Sequence, residues 1–203
     1  RWDAKCTTYS VTDPKASHMF QPAQSQKRRR LSHLFDFSDS AQSTGVRFIF
    51  LDIDGVLCEL VRSSHSLGEC LALQDTIAQQ HGPQYYAISA RDLGVVYWDW
   101  KKEAITHLKK LCEETGAKIV ISSDWRKNNS IDRLKLLFGL HGLAEHVVGV
   151  TPTLYAKLRG LEIESYLKEH PADVFTILDD RRYDLFSHFP EDQVVHCENY
   201  LDV

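Results

Sequence analysis

Apolar positions are spread unevenly along the chain, and their spacing changes near residue 45. Before it, polar residues with Gln, Ser and Pro show no sustained period, apart from a short helical pattern at "LSHLFDFS". After it, short apolar runs alternate with helix-period segments. "RFIFL" (47–51), "AKIVI" (117–121), "HVVGV" (146–150) and "DVFTI" (173–177) read as buried strands, and "QVVHC" (193–197) as a weaker fifth. Between them, "DWKKEAITHLKKLCEETG" puts Ile105, Leu108, Leu111 and Cys112 on one face and stops at Gly116. "SIDRLKLLFG" predicts a short helix between Ser130 and Gly139, and "RGLEIESYLKEHP" a helix ended by Pro171. Strands alternating with helices predict an α/β fold, a doubly wound parallel sheet covered on both faces.

Residues 1–45 then form a polar, partly basic N-terminal extension, and 46–203 one domain. Within the domain, 59–96 interrupts the alternation with mixed signals ("HSLGECLALQDTIAQQHG", "YYAISARDLG"). It predicts a small cap or flap carrying one helix, too short for a large α/β cap.

The 203 residues, 43% of them hydrophobic, suffice for a real core. No apolar run reaches the ~18–20 residues of a membrane span, and the start lacks the apolar stretch of a secretory leader. Five scattered cysteines without a C-x-x-C pair argue against a disulfide framework or zinc knuckle and for a reducing, intracellular and cytoplasmic setting. Net charge is −4, but unevenly distributed. Residues 1–46 hold seven basic and four acidic groups, a balance of +3, and the remainder 17 basic and 24 acidic, a balance of −7. The domain is therefore unlike a strongly basic nucleic-acid binder. The basic cluster at 27–30 admits nuclear localisation, protein or nucleic-acid contact, or a kinase site at Ser32; a solvated basic face is the preferred reading.

The apolar run at 47–51 ends in Asp52 and Asp54, and a buried carboxylate without a partner is costly. In doubly wound sheets ligands bind beyond the carboxyl ends of the strands. Three strands deliver Asp52/Asp54, Ser122/Ser123 and Asp179/Asp180 to that edge. Four converging carboxylates call for a hard divalent cation, and an all-oxygen set suits Mg²⁺ better than zinc. Gly55 allows a sharp turn, so Asp54 can leave the strand line while Asp52 stays at its end. One acid can then attack phosphorus while the other handles the leaving-group proton.

These segments resemble the haloacid dehalogenase-like (HAD) superfamily. "FLDIDGVL" is similar to its first motif, "KIVISS" to its second and "FTILDD" to its fourth, in the family's order across about 46–200. More narrowly, "ETGAKIVISSDWR", "RGLEIESYL" and "ILDDRRYD" resemble the HAD domains of Swiss-army-knife RNA-repair proteins and their stand-alone relatives. The resemblance implies a Rossmann-like core with Asp52 as the nucleophile that forms an aspartyl-phosphate and Asp54 as general acid/base. An acid at this second position is found in HAD phosphatases and phosphotransferases but not in dehalogenases. It further implies Ser122, beside Ser123, as phosphate-binding hydroxyl, and Mg²⁺ held by Asp52, Asp54 (its backbone carbonyl), Asp179 and Asp180. The basic third motif falls on Arg159, with Lys157 as its rival. Asp184 reads equally as a carboxylate behind the metal site or as a helix N-terminal acid. Asp124, Trp125 and Arg126 help hold substrate, or Trp125 and Arg126 form a stacked structural pair, the two readings being equal. The implied activity is Mg²⁺-dependent phosphomonoester hydrolysis. Its substrate would be a phosphorylated nucleic-acid end, a phosphoprotein or a nucleotide, with no membrane partner. A phosphotransferase or nucleotidase of the same fold, or a binding protein using the basic arm, are the alternatives.

Overall fold

A computed structural model describes residues 45–61, 63–154, 158–181, 184–198 and 200–201. The N-terminal extension up to residue 44, with the basic cluster 27–30, Ser32 and the helical pattern at 31–38, lies outside the described residues, as does Lys157. Five strands form one sheet: β1 (Arg47–Leu51), β2 (Lys118–Ile121), β3 (Val147–Val150), β4 (Val174–Asp179) and β5 (Val194–His196). Their order is β3-β2-β1-β4-β5, and every pairing is parallel. The reversal of winding occurs at β1, where a doubly wound sheet opens a crevice at its carboxyl edge.

The helices are α1 (Leu67–His81), α2 (Ala90–Gly94), α3 (Lys102–Thr115), α4 (Ile131–Gly139) and α5 (Arg159–Glu169). Side chains alternate along β1, and both faces are apolar because both are covered. Phe48 and Phe50 join Val120, Ile177 and Val194 in packing against Ile163 and Tyr166 of α5. Ile49 and Leu51 join Ile119, Ile121 and Leu178 in packing against Leu108 and Cys112 of α3 and Leu134, Leu137 and Phe138 of α4. Phe50 meets Tyr166 edge-on at 5.8 Å and Phe175 at 5.9 Å, contacts worth about 0.5–1.5 kcal/mol each beyond burial. Gly116 ends α3 with φ +69°, its N–H donating to Cys112 O, as its place after the last periodic residue predicts.

The segment 59–96 carries α1 and α2, joined by a single-turn helix at Pro83–Ala87. A reciprocal Ser66–Glu69 capping box starts α1. Its inner face is Cys70, Gln74, Ile77 and Ala78; the Gln74 amide donates to Tyr85 O (3.0 Å) and Ile88 O (2.7 Å). Ile77, Tyr85, Ile88, Leu93 and Val96 belong to the same apolar cluster as β1, and Tyr85 Oη donates to Leu136 O of α4. The insert is therefore continuous with the α3/α4 layer. A wider helical turn, Val95–Asp99, then leads into α3. Trp100 is buried against Phe138, while Trp98 stacks on His65. Cys58, Cys70, Cys112 and Cys197 are buried. Among the described residues no helix is long and apolar enough to cross a membrane.

Candidate active site

Register positions the site. Leu51 pairs with Ile121 and Leu178, and Ile121 with Val150. One residue further, Asp52 N donates to Leu178 O (2.9 Å), Ser122 N to Leu51 O (3.0 Å) and Thr151 N to Ile121 O (3.0 Å). Asp52, Ser122 and Asp179 each lie two residues beyond a member of the α5-side cluster (Phe50, Val120, Ile177), so they continue that face past the end of the apolar layer. Three carboxylates gather there: one oxygen each from Asp52, Asp179 and Asp180 lies within 4.8 Å of the others.

Arg159, the first residue of α5, is 1% exposed and holds this group from the helix side. Its Nη1 lies 3.0 Å from Asp52 Oδ2 and donates to Asp179 Oδ2 at 2.7 Å. A cation in a first helical turn opposes the helix dipole. These carboxylates offset that cost, and Asp184 adds to them by accepting from Gly160 N (3.3 Å). Asp184 thus serves the N-terminus of α5. Burial works against the charge on Arg159, but Asp179 and Asp52 outweigh it and raise its pKa above the ordinary value. Burial pushes Asp179 up to about 7, with Arg159 opposing and Asp52 reinforcing the rise. Asp180 is raised by burial and by Asp52. Three carboxylates facing one guanidinium leave a formal charge of −2, which a divalent cation cancels. The donor set is carboxylate oxygen alone, as hard cations require.

Gly55 makes room for this group. Its φ is +76°, and a Cβ there would come within 2.7 Å of Asp180 Cβ and 2.8 Å of Asp180 Oδ2. Asp52 Oδ1 accepts from Ile53 N (2.8 Å), and Asp179 Oδ1 from Arg181 N (2.9 Å), so both side chains are oriented by the backbone beyond their strands.

Asp54 takes a different position from the one four converging acids predict. Its carboxylate is not part of the three-acid group; it accepts from the indole Nε1 of Trp125, 3.2 Å from each oxygen, and from Cys58 Sγ at 3.6 Å. The turn at Gly55 rotates it away from the strand axis. Asp54 is half-buried where Asp52 is 5% exposed, so it stands nearer the entrance.

Ser122 is fully buried, and among the described residues its Oγ has no hydrogen-bond partner, an uncommon state for a buried hydroxyl. Ser123 instead caps the single turn Asp124–Lys127, its side chain accepting from Trp125 N. Arg126 does not face the carboxylates. Its Nε donates to Thr151 O (3.0 Å), Nη1 to Ser122 O and Ser123 O, and Nη2 to Glu162 Oε2. Glu162 Oε1 in turn accepts from Leu154 N (3.0 Å). Burial lowers the pKa of Arg126, against the pull of Glu162. The side chain, read as either a substrate contact or part of a structural pair, is a structural clamp joining the ends of β2 and β3 to α5. Nothing in the sequence marks this, because three of its acceptors are backbone carbonyls.

A parallel sheet of this order, with acids and a buried arginine at the carboxyl edge of its central strands, defines an α/β protein with a Rossmann-like HAD core. Residues 48–201 match the family described as the HAD domain in Swiss Army Knife RNA repair proteins, and the chain belongs to that family. Membership points to hydrolase chemistry of the HAD type. No curated protein and no solved structure matches the chain.

Proposed function

We propose that this chain is a Mg²⁺-dependent phosphomonoesterase acting on phosphorylated nucleic-acid ends. The observation that carries the reading is the buried group of Asp52, Asp179 and Asp180 around Arg159. Asp52, Asp179 and Asp180 would hold Mg²⁺, which screens the repulsion between an anionic nucleophile and an anionic phosphoryl group. Asp52 attacks phosphorus, and the bond from phosphorus to the ester oxygen breaks. The Asp54 carboxyl gives its proton to that leaving oxygen, releasing an alcohol and an aspartyl-phosphate. Water then attacks the same phosphorus and returns a proton to Asp54. The bond from Asp52 to phosphorus breaks, freeing inorganic phosphate and regenerating both acids.

Ser122 Oγ, unpartnered among the described residues, donates to a phosphoryl oxygen. Arg159 adds donors: among the described residues only its Nη1 is engaged, leaving Nε and Nη2 for the incoming phosphoryl group. The nucleic-acid substrate class is supported by the family's description as a domain of RNA repair proteins.

The test is a panel of 3′- and 5′-phosphorylated oligonucleotides, mononucleotides and phosphopeptides, with and without Mg²⁺, comparing wild type with Asp52→Asn. Phosphate release from oligonucleotide ends that needs Mg²⁺ and falls by at least about 10³-fold in Asp52→Asn is expected. Equal rates for the two proteins would remove Asp52 as nucleophile. Release from phosphopeptides alone would replace the substrate class.

A further inference from the structure

The tether on Asp54 is unexplained by packing alone. Trp125 is 7% exposed and lies beside Trp100, with ring centroids 6.3 Å apart. A ring serving only as filling has no need to aim its single polar atom at a carboxylate, yet Nε1 sits 3.2 Å from both oxygens of Asp54. The backbone holding this ring is itself fixed. Trp125 O accepts from Asn128 N, Asn129 N and the Asn129 side-chain amide, and that amide also donates to Asp92 Oδ2 of α2 (3.0 Å). The insert, the turn after β2 and Asp54 are thus one connected chain of hydrogen bonds.

We propose that Trp125 is a positioning residue for Asp54, its indole N–H keeping this carboxyl out of the ion-binding group and turned toward the leaving oxygen. The inference rests on the phosphatase reading above and adds what keeps its two acids in separate roles. Acids two residues apart beside a dication would both be drawn into its coordination shell. A side chain so engaged cannot also deliver a proton. A neutral donor that bridges both oxygens holds the carboxyl aside without adding counter-charge. Cys58 Sγ, at 3.6 Å, is a weaker donor on one oxygen only.

The step that depends on this tether is protonation of the leaving oxygen, so the test varies the leaving group. With Mg²⁺ present, kcat/KM, which reports only the steps up to departure of the leaving group, is measured on phenyl phosphate, whose phenoxide needs the proton, and on dinitrophenyl phosphate, whose phenolate leaves without it. Trp125→Phe is expected to lose about 10- to 100-fold on phenyl phosphate and under about threefold on dinitrophenyl phosphate. Benzothienylalanine at position 125, which keeps the ring shape and lacks the N–H, is expected to match Trp125→Phe. Equal losses on the two esters, or no loss on phenyl phosphate, would overturn the inference while leaving the phosphatase reading intact. Wild-type protein inert on both esters and on the whole phosphosubstrate panel above would instead sink that reading. The indole N–H resonance, assigned by its disappearance in Trp125→Phe, tests the tether itself whether or not any ester turns over. It is expected to move upfield in Asp54→Ala, and an unmoved resonance overturns the inference.

Discussion

Two buried arginines stand at the same sheet edge and differ in how fully they are used. Arg126 engages Nε, Nη1 and Nη2 with three carbonyls and Glu162. Arg159 engages only Nη1 among the described residues, and does so with two carboxylates of the three-acid group. A guanidinium with four of its five N–H groups committed, and all three nitrogens engaged, is a fastener. A guanidinium with donors in reserve, held in place by acids, is ready for an anion. The contrast separates scaffolding from chemistry at a place where residue type and burial are nearly the same.

The largest expected effects come from removing each arginine in turn. Arg159→Met leaves Asp52 and Asp179 facing each other without their cation, and Arg126→Met strands Glu162; each should cost about 3–5 kcal/mol. Calorimetric melts then separate the two. Added Mg²⁺ should recover much of the loss in Arg159→Met, because it meets the same carboxylates, and little of the loss in Arg126→Met. Similar recovery in both would erase the distinction. Turnover by the folded protein should collapse in Arg159→Met and survive in part in Arg126→Met.

A smaller effect is expected at Gly55. Alanine there would press its Cβ onto Asp180 and occupy a left-handed backbone, costing about 1–2 kcal/mol. Displacing Asp180 should also weaken Mg²⁺ binding by about 10- to 100-fold, measurable by titration calorimetry, while the Arg126 clamp stays intact. Unchanged affinity would show that Asp180 is not a ligand.

The smallest effect concerns pH. Asp179 has an ordinary value of 3.8, raised in the folded chain to about 7 chiefly by burial. Between those values the folded state holds the proton that the unfolded state has lost. Stability from this group is therefore full below the lower value and is lost as pH rises through the upper one. Without metal, Asp179→Asn should melt above wild type by a margin that widens from about pH 5 to about pH 8. Saturating Mg²⁺ should narrow or reverse that margin. A margin that does not change with pH would mean Asp179 stays ionised throughout.

The five strands were legible because a parallel sheet buried on both faces writes itself as unbroken apolar runs such as Phe48–Leu51. The acids at their ends were legible for the same reason, since each interrupts a run. Gly55 announced the turn that parts Asp54 from Asp52, but the sequence hid what Asp54 meets there, because the ring that bonds it lies 71 residues away. The insert was obscure because the inner face of α1 includes Gln74, a polar residue placed there to bond the carbonyls of Tyr85 and Ile88, which blurs the helical period. The choice between the two readings of Arg126 was not legible, because three of its acceptors are backbone carbonyls, which leave no charge pattern in the sequence.

Arg159 and Glu162 sit one turn apart on α5, the helix whose Ile163 and Tyr166 pack on Phe48 and Phe50. Shifting that helix would therefore disturb the three-acid group, the clamp and the smaller of the two apolar clusters together. Engineering of selectivity is better aimed at exposed positions off that helix, such as Leu60 and Val61, which can be rewritten without touching the rod that holds Arg159 and Glu162.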